Sequence, residues 1–264
     1  MNAQSKSYWS FFRRSKGRHG LHSPFVFQLV DQGLTQKVDK NFAKERKKWL
    51  NALKKDKETF EIIDLGVGSK KMSNKRSVAQ LAKTASSKGI YGDLIWKLSH
   101  YFKPQTVLEL GTSIGTGTIH IKNACPSAHV YTIEGCDRTL SKACQQFDYW
   151  KLDGITTICA DFQHFLSLPP MQVYDMVFLD GNHNGKATLA YIEQLFSQTH
   201  NETLFIMDDI RWSEDMWKAW QSICEDQRFH VTIDMGRMGL FWKRTQQTKE
   251  HFVQRPLVFK TKFF

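Results

Sequence analysis

The chain has 264 residues, a mean hydropathy of −0.45 and a formal net charge of +11. That length suits one large α/β domain with an appendage and a substantial core. Its five cysteines show no CxxC pair or paired spacing, and no apolar run is long enough for a membrane span or a secretory leader; this argues against a disulfide framework and a spanning protein, and points to a reducing cytoplasm.

The charge is uneven. Residues 1–105 carry 22 Lys and Arg against 8 Asp and Glu, whereas residues 106–264 carry 15 against 18. The basic N-terminal part therefore calls for an anionic counterpart, such as nucleic acid, a lipid surface or an acidic substrate, unless its cations are simply solvated helix faces. Residues 1–77 read as a basic, helical extension. Tyr8, Trp9, Phe11 and Phe12 lie beside Arg13, Arg14, Lys16 and Arg18, a composition that suits a helix packing its aromatics on a core or one lying at a membrane surface. Ser23-Pro24 marks a helix start, with Ser as cap, Pro in the first turn, and Phe25, Phe27, Leu29 and Val30 following. His19 and His22 read as structural or surface groups. Within residues 41–57, Phe42, Trp49, Leu50 and Leu53 fall on one helix otherwise covered by Lys and Arg.

Glu61 to Arg76, EIIDLGVGSKKMSNKR, imitates a cofactor loop through Asp64, Gly66 and Gly68. The residues after Gly68 are too polar and basic for a helix that packs on a sheet, so this stretch reads as a basic loop bordering the site, with Lys70, Lys71, Lys75 and Arg76. Val78, Leu81 and Ala82, then Leu94, Ile95 and Leu98, predict two helices leading into the core domain.

From Thr106 to Gly117 the sequence TVLELGTSIGTG predicts a buried strand, a glycine-broken turn and a helix whose first N–H groups face a ligand over the turn. Strands are expected at 106–110, 129–133, 155–159, 174–180, 203–208, 229–234 and 238–243, the first six separated by helices. This pattern predicts a doubly wound, mostly parallel, seven-stranded Rossmann-like sheet. Only Met235-Gly236-Arg237 or so separates the last two strands, too few for a crossover, so they should form an antiparallel hairpin. The domain boundaries expected are 1–77 for the extension or lid, 78–246 for the cofactor-binding domain and 247–264 for a C-terminal tail.

Glu134 ends the second strand at the separation where a carboxylate accepts hydrogen bonds from a ribose diol, which predicts a nucleoside-containing cofactor. Asp161 closes the third strand, either beside an adenine with Phe162 on its ring or as a helix N-cap. A dinucleotide site normally has closer glycines than GTSIGTG provides, which disfavours a nicotinamide-dependent oxidoreductase.

VLELGTSIGTGTIHI, VYTIEG, CADF and YDMVFLDGNH, in that order, resemble the core of class I S-adenosylmethionine-dependent methyltransferases. Within them ELGTSIG, FLDGNH and FIMDDI resemble the catechol and caffeoyl-CoA type of O-methyltransferase. The likeness covers roughly residues 78–244 and leaves the N-terminal extension outside it. It implies S-adenosyl-L-methionine as cofactor, with Glu109, Gly111, Thr112, Ser113 and Gly115 around its methionine and ribose, Glu134 on the ribose, and Asp161 with Phe162 on the adenine.

Asp180 closes the fourth strand and Asp208-Asp209 the fifth, and in a parallel sheet both ends open on one crevice. Three carboxylates there repel unless a cation sits among them, and oxygen ligands select a hard divalent ion, Mg²⁺ foremost. Such an ion would lower the pKa of a substrate hydroxyl and hold its oxygen in line with the methyl group, and His183 would take the proton or else be an ordinary turn histidine. The third metal position of the catechol type is usually Asn. Here it is Asp209, free to cap a helix from Ser213 or to pair with Arg211. Trp212 is the candidate wall of the acceptor pocket, whereas Met216, Trp217 and Trp220 divide between pocket and core; Arg237, in the hairpin turn, lies over the crevice or in solvent.

The resulting expectation is metal-assisted O-methylation of a small hydroxylated acceptor, phenols included, under a lid of N-terminal helices. Competing readings are an RNA methyltransferase that uses the basic N-terminal part on tRNA, and a non-catalytic membrane-surface or scaffold protein of the same fold. The oligomeric state stays open, a homodimer among the options.

Overall fold

The computed structural model describes residues 3–15, 21–61, 75–84 and 89–256. Asp64, Gly66, Gly68, Lys70 and Lys71 of the basic loop, and His19, Lys16 and Arg18 of the N-terminal segment, lie outside the described residues.

A central strand of a parallel sheet is covered on both faces, so its apolar run is continuous and its side chains alternate between two cores. The strands are β1 (Thr59–Glu61), β2 (Lys75–Ser77), β3 (Thr106–Leu110), β4 (His129–Glu134), β5 (Ile155–Cys159), β6 (Tyr174–Leu179), β7 (Thr199–Met207), β8 (Val231–Asp234), β9 (Gly239–Trp242) and β10 (Glu250–Val253). β3 shows the division clearly. Val107 enters a core with Val130, Met176, Phe178 and Ile206, whereas Leu108 and Leu110 enter the opposite one with Ile133, Val177, Leu179 and Phe205.

The main sheet runs β5-β4-β3-β6-β7-β9-β8-β10, and β1 pairs with β2 in a separate antiparallel hairpin. β3 to β7 are mutually parallel where they pair, and β9 is antiparallel to both β7 and β8. The expected doubly wound sheet with a closing hairpin is therefore present. The segment expected as a tail adds an eighth strand, since β10 pairs in parallel with β8 at the edge. The strand is only four residues long, and Phe252 is its only fully buried side chain, too little apolar pattern to stand out from a tail.

The helices are α1 (Ala3–Arg14), α2 (Pro24–Gln28), α3 (Lys40–Leu53), α4 (Val78–Thr84), α5 (Gly89–Phe102), α6 (Thr116–Ala124), α7 (Asp137–Tyr149), α8 (Phe162–Ser167), α9 (Gly185–Leu195) and α10 (Glu214–Glu225). α2 begins as the sequence predicts: the Ser23 hydroxyl accepts from the Val26 N–H and Pro24 opens the helix. A wider helical turn over Leu29–Leu34 continues it and, with α5, covers one face of the sheet. α9 and α10 cover the other face.

α3 buries Phe42, Trp49, Leu50 and Leu53 in a third cluster with Ile119 of α6 and Phe147 of α7. Polar contacts fix the same docking: Arg46 Nη1 lies 2.7 Å from Asp93 Oδ1 and 3.0 Å from His120 Nε2, and Trp49 Nε1 donates to Gln146 at 2.8 Å. The aromatics of α1 divide. Phe11 is buried and Tyr8 half-buried, whereas Trp9 and Phe12 are 57% and 58% exposed.

Candidate active site

The first half of the site is the loop between β3 and α6. Gly111 leaves β3 at φ +108°, and a Cβ there would reach to 2.7 Å from the carbonyl carbon of Asp180. Only glycine lets the two strand-end loops come this close. Gly117 has the same function as the second residue of α6, where a Cβ would collide with Glu109 Oε1 and lie 2.8 Å from Phe178 Cε1. Gly115 begins α6 at φ +80°.

Ser113 holds a left-handed φ of +50° and gives its N–H to Glu134 Oε2 at 3.0 Å; Glu134 Oε1 accepts from the Cys136 N–H, also at 3.0 Å. The Thr112 and Thr132 hydroxyls meet at 2.6 Å beneath the loop. Glu109 lies under it too. It is 1% exposed and accepts from Thr132 at 2.6 Å and from the Thr118 hydroxyl, and burial pushes its pKa up to about 7. Asp161 caps α8, accepting from the His164 N–H at 3.1 Å, and the ring of Phe162 fills the space where a Gly181 side chain would be.

The second half sits on the loops after β6 and β7. Asp180, Asn182 and His183 follow β6; Asn182 and His183 have φ of +65° and +27°, and Asn182 Nδ2 donates to the Tyr191 hydroxyl at 2.7 Å. His183 Nε2 lies 3.8 Å from Asp209 Oδ2, and its ring centroid is 5.6 Å from that of Trp212, which is 62% exposed. Asp209 has φ +53°. Of the seven non-glycine residues with positive φ among the described residues, Ser113, Asn182, His183 and Asp209 all belong to these strand-end loops. Uncommon backbone conformations concentrated at one end of a sheet mark it as the place where side chains are aimed rather than packed.

Arg237 comes down onto this group from the β8–β9 turn. Its Nε and Nη2 reach Asp208 Oδ1 and Oδ2 at 3.0 and 2.9 Å, a bidentate pair with a fully buried carboxylate. The same nitrogens reach Asp209 Oδ1 at 2.9 Å and Oδ2 at 3.5 Å. Burial works against the arginine's charge, but Asp208, Asp209 and Asp180 outweigh it and leave its pKa above the ordinary value. Burial followed by repulsion from Asp208 raises the pKa of Asp209, although Arg237 pulls it back.

Asp180, Asp208 and Asp209, expected to hold a divalent ion between them, do not converge on a metal site of that kind. Among the described residues no group of three His, Cys, Asp or Glu converges to hold an ion, and the oxygens of Asp208 and Asp209 are already engaged by a guanidinium. Asp209 neither caps α10 nor pairs with Arg211. Ser213 is the cap, accepting from the Met216 N–H at 3.1 Å, and Arg211 pairs with Asp234 at 2.5 Å while its guanidinium lies 4.4 Å from the centroid of the Trp217 ring. Of the two placements considered for Arg237, the crevice is the one adopted.

Tyr91 had no place in the sequence reading. Its hydroxyl accepts from the Arg237 N–H at 3.0 Å, and its ring lies under that guanidinium at 5.7 Å. Its signal in the sequence is one tyrosine on an apolar helix, indistinguishable from a core residue. Trp220 is core, at 1% exposure, and Met216 is buried as well.

A profile described as "Methyltransferase domain" matches residues 108–210. A comparison with curated proteins finds no match. Among solved structures, a provisionally assigned caffeoyl-CoA O-methyltransferase from Staphylococcus aureus is similar at 17% identity and TM-score 0.55, covering 62% of this chain and 88% of that one. The O-methyltransferase from Bacillus cereus in complex with S-adenosylhomocysteine (SAH) is similar at 14% identity and TM-score 0.52, with 88% and 98% covered. The O-methyltransferase TomG from Streptomyces achromogenes, in complex with S-adenosylmethionine, gives 14% identity, TM-score 0.51, and 62% and 88% covered. At such identities the structures establish the fold, while the profile match covers the loops after β3, β4, β5, β6 and β7 that form the two halves of the site. Residues 108–210 thus match a methyltransferase domain, and the chain shares the fold of the solved O-methyltransferases.

Proposed function

We propose that the chain transfers a methyl group from S-adenosylmethionine to an oxygen of a small hydroxylated acceptor, phenols included. The observation that carries this reading is the meeting of two unlike sets of groups at one end of the sheet. One is a glycine loop closed by the Glu134 carboxylate, and the other is His183 with Trp212 beside the Asp208, Asp209 and Arg237 cluster. The contact of Gly111 with the Asp180 carbonyl makes them neighbours.

On the donor side, each Glu134 oxygen receives one backbone N–H, and the carboxylate would accept from a ribose diol. Gly111, Thr112, Ser113 and Gly115 would border the methionine end, with Glu109 beneath the loop, while Asp161 and Phe162 would border the adenine. Bound there, the cofactor supplies an electrophilic sulfonium methyl group. On the acceptor side the exposed Trp212 would wall the pocket, and His183, 3.8 Å from Asp209, would take the hydroxyl proton. Most of the acceleration then comes from holding the oxygen and the methyl carbon in line. The solved O-methyltransferases of the same fold support oxygen as the atom methylated. A divalent ion has no part in this reading, because the carboxylates that would hold it are paired with Arg237.

Calorimetry with S-adenosylmethionine, followed by mass-spectrometric detection of methylated product across a panel of phenols and other hydroxylated compounds, tests the reading. Binding of the cofactor and a mass gain on oxygen are expected. Absence of cofactor binding refutes the donor site, and a product methylated on nitrogen or on tRNA refutes the acceptor class.

A further inference from the structure

We propose that Arg237 is the resident cation of the acceptor site, its guanidinium engaging the strand-end acids that were expected to hold a divalent ion. This rests on the methyltransferase reading above. The physical need is general: carboxylates at the ends of β6 and β7 face one crevice, and such a group needs positive charge among its members. In this chain the protein itself supplies it. Arg237 grips both oxygens of Asp208, whose side chain has no exposure, and both oxygens of Asp209. A hard divalent ion needs those same oxygens as ligands.

The arginine is built in rather than loosely placed. The Ile210 N–H donates to its carbonyl at 2.9 Å, its own N–H donates to the Tyr91 hydroxyl, and the Tyr91 ring lies beneath its guanidinium. A second pair runs in the reverse sense, since Arg211 of the β7 loop grips Asp234 of the hairpin through Nη1 and Nη2 at 2.8 and 2.5 Å. The β7 loop thus gives two acids and one arginine to the hairpin, and the hairpin gives one acid and one arginine back, which locks the turn carrying Arg237 in place.

A guanidinium has five N–H donors, and these contacts use only Nε and Nη2. The Nη1 amino group remains to meet a ligand, on a side chain that is 20% exposed. In the transfer, the acceptor O–H gives its proton to His183 and an oxygen lone pair forms the O–CH₃ bond. The C–S bond of the sulfonium breaks with its electron pair going to sulfur, leaving a methyl ether, S-adenosylhomocysteine and a protonated histidine. Arg237 is unchanged and holds the oxygen through Nη1.

The test is a titration with Mn²⁺, read by the paramagnetic resonance signal of the free ion, on the wild type, Arg237→Ala, Arg237→Lys and the double variant Arg237→Ala with Asp208→Asn. The wild type and Arg237→Lys are expected to leave the free signal unchanged, with any affinity weaker than about 1 mM. Arg237→Ala is expected to retain the ion at least about tenfold more tightly, and the double variant to lose it again. Stoichiometric Mn²⁺ binding by the wild type overturns the proposal, and this result needs no variant to fold. A folded Arg237→Ala protein that binds no Mn²⁺ overturns it as well. Calorimetry with S-adenosylmethionine on the same wild-type sample separates the two levels: no cofactor binding sinks the methyltransferase reading, whereas cofactor binding with Mn²⁺ uptake sinks only the assignment to Arg237.

Discussion

Glu109 and His120 give the domain two opposed pH dependences close to the cofactor loop. Glu109 lies near the end of β3 under α6, and His120 sits on α6 with no exposure. The bonding of His120 fixes its tautomer: Nδ1–H donates to the Thr116 carbonyl at 2.6 Å, and Nε2 accepts from Arg46 Nη1 at 3.0 Å, so the ring is neutral. Burial raises Glu109 from 4.5 to about 7; burial and then the Arg46 charge lower His120 from 6.5 to about 4. Each displacement corresponds to about 3 kcal/mol.

The signs are opposite. Between 4.5 and about 7 the folded chain holds a proton on Glu109 that the unfolded chain has released, so this contribution is complete below 4.5 and is lost as the pH rises through 7. Between 6.5 and about 4 the unfolded chain protonates His120 and the folded chain does not, so this one is complete above 6.5 and is lost as the pH falls through 4. The windows overlap and the two slopes offset each other. Glu109→Gln keeps an acceptor for Thr118 and Thr132 but cannot titrate; relative to wild type it should gain about 3 kcal/mol of stability as the pH rises from 4.5 to 7. His120→Gln should gain a similar amount, about 3 kcal/mol, as the pH falls from 6.5 to 4. Urea unfolding followed by circular dichroism over a pH series measures both, and taking each variant against wild type cancels every other titrating group. A difference curve that is flat in pH, or two curves of the same sign, refutes the reasoning.

Three further outcomes are expected. Gly117→Ala forces a Cβ into Glu109 and Phe178 and should cost about 1–3 kcal/mol, seen as a fall in Tm; an unchanged Tm contradicts the tight packing of α6 on β3. Glu134→Gln keeps the shape but loses the charge that would hold a ribose diol, so calorimetry should show about tenfold or weaker binding of S-adenosylmethionine, and unaltered affinity removes Glu134 from the cofactor site. Trp212→Ala removes a side chain that is 62% exposed, so its stability should stay within about 0.5 kcal/mol of wild type while the KM for the acceptor rises; an unchanged KM means that Trp212 walls nothing.

How far the sequence could be read depended on how local each feature was. The two-core strand β3 was legible because burial on both faces leaves no polar position to interrupt the run. The glycine loop was legible because the need for a residue without Cβ is set by the chain's own turn, and Glu134 because it ends the next strand along. Contacts between distant segments were not legible. Arg46 reaches His120 across 74 positions and Arg237 reaches Asp208 across 29. Nothing in either residue type selects the partner. The pairing of Arg211 with Asp234 instead of Asp209 belongs to the same class, since it is decided by how the β8–β9 hairpin lies against β7. The aromatic segment of α1 failed differently: one helix has two faces, so a single description of it as packing or interfacial could not cover both buried Phe11 and exposed Trp9.

The acidic cluster shows where a correct electrostatic argument needs a structure to finish it. Clustered carboxylates at strand ends require a cation, and this follows from the sequence and the topology together. Which cation is a question of geometry. β9 enters between β7 and β8 antiparallel to both, so the turn preceding β9 passes over the end of β7, and the residue carried there faces Asp208 and Asp209. With a small or apolar residue at that point the acids would be left to a metal. With Arg237 there, held by the Ile210 N–H, the Tyr91 hydroxyl and the reciprocal Arg211–Asp234 pair, the positive charge is covalently part of the chain. The strand-end acids therefore call for a positive charge among them, and the residue in the hairpin turn specifies what carries that charge.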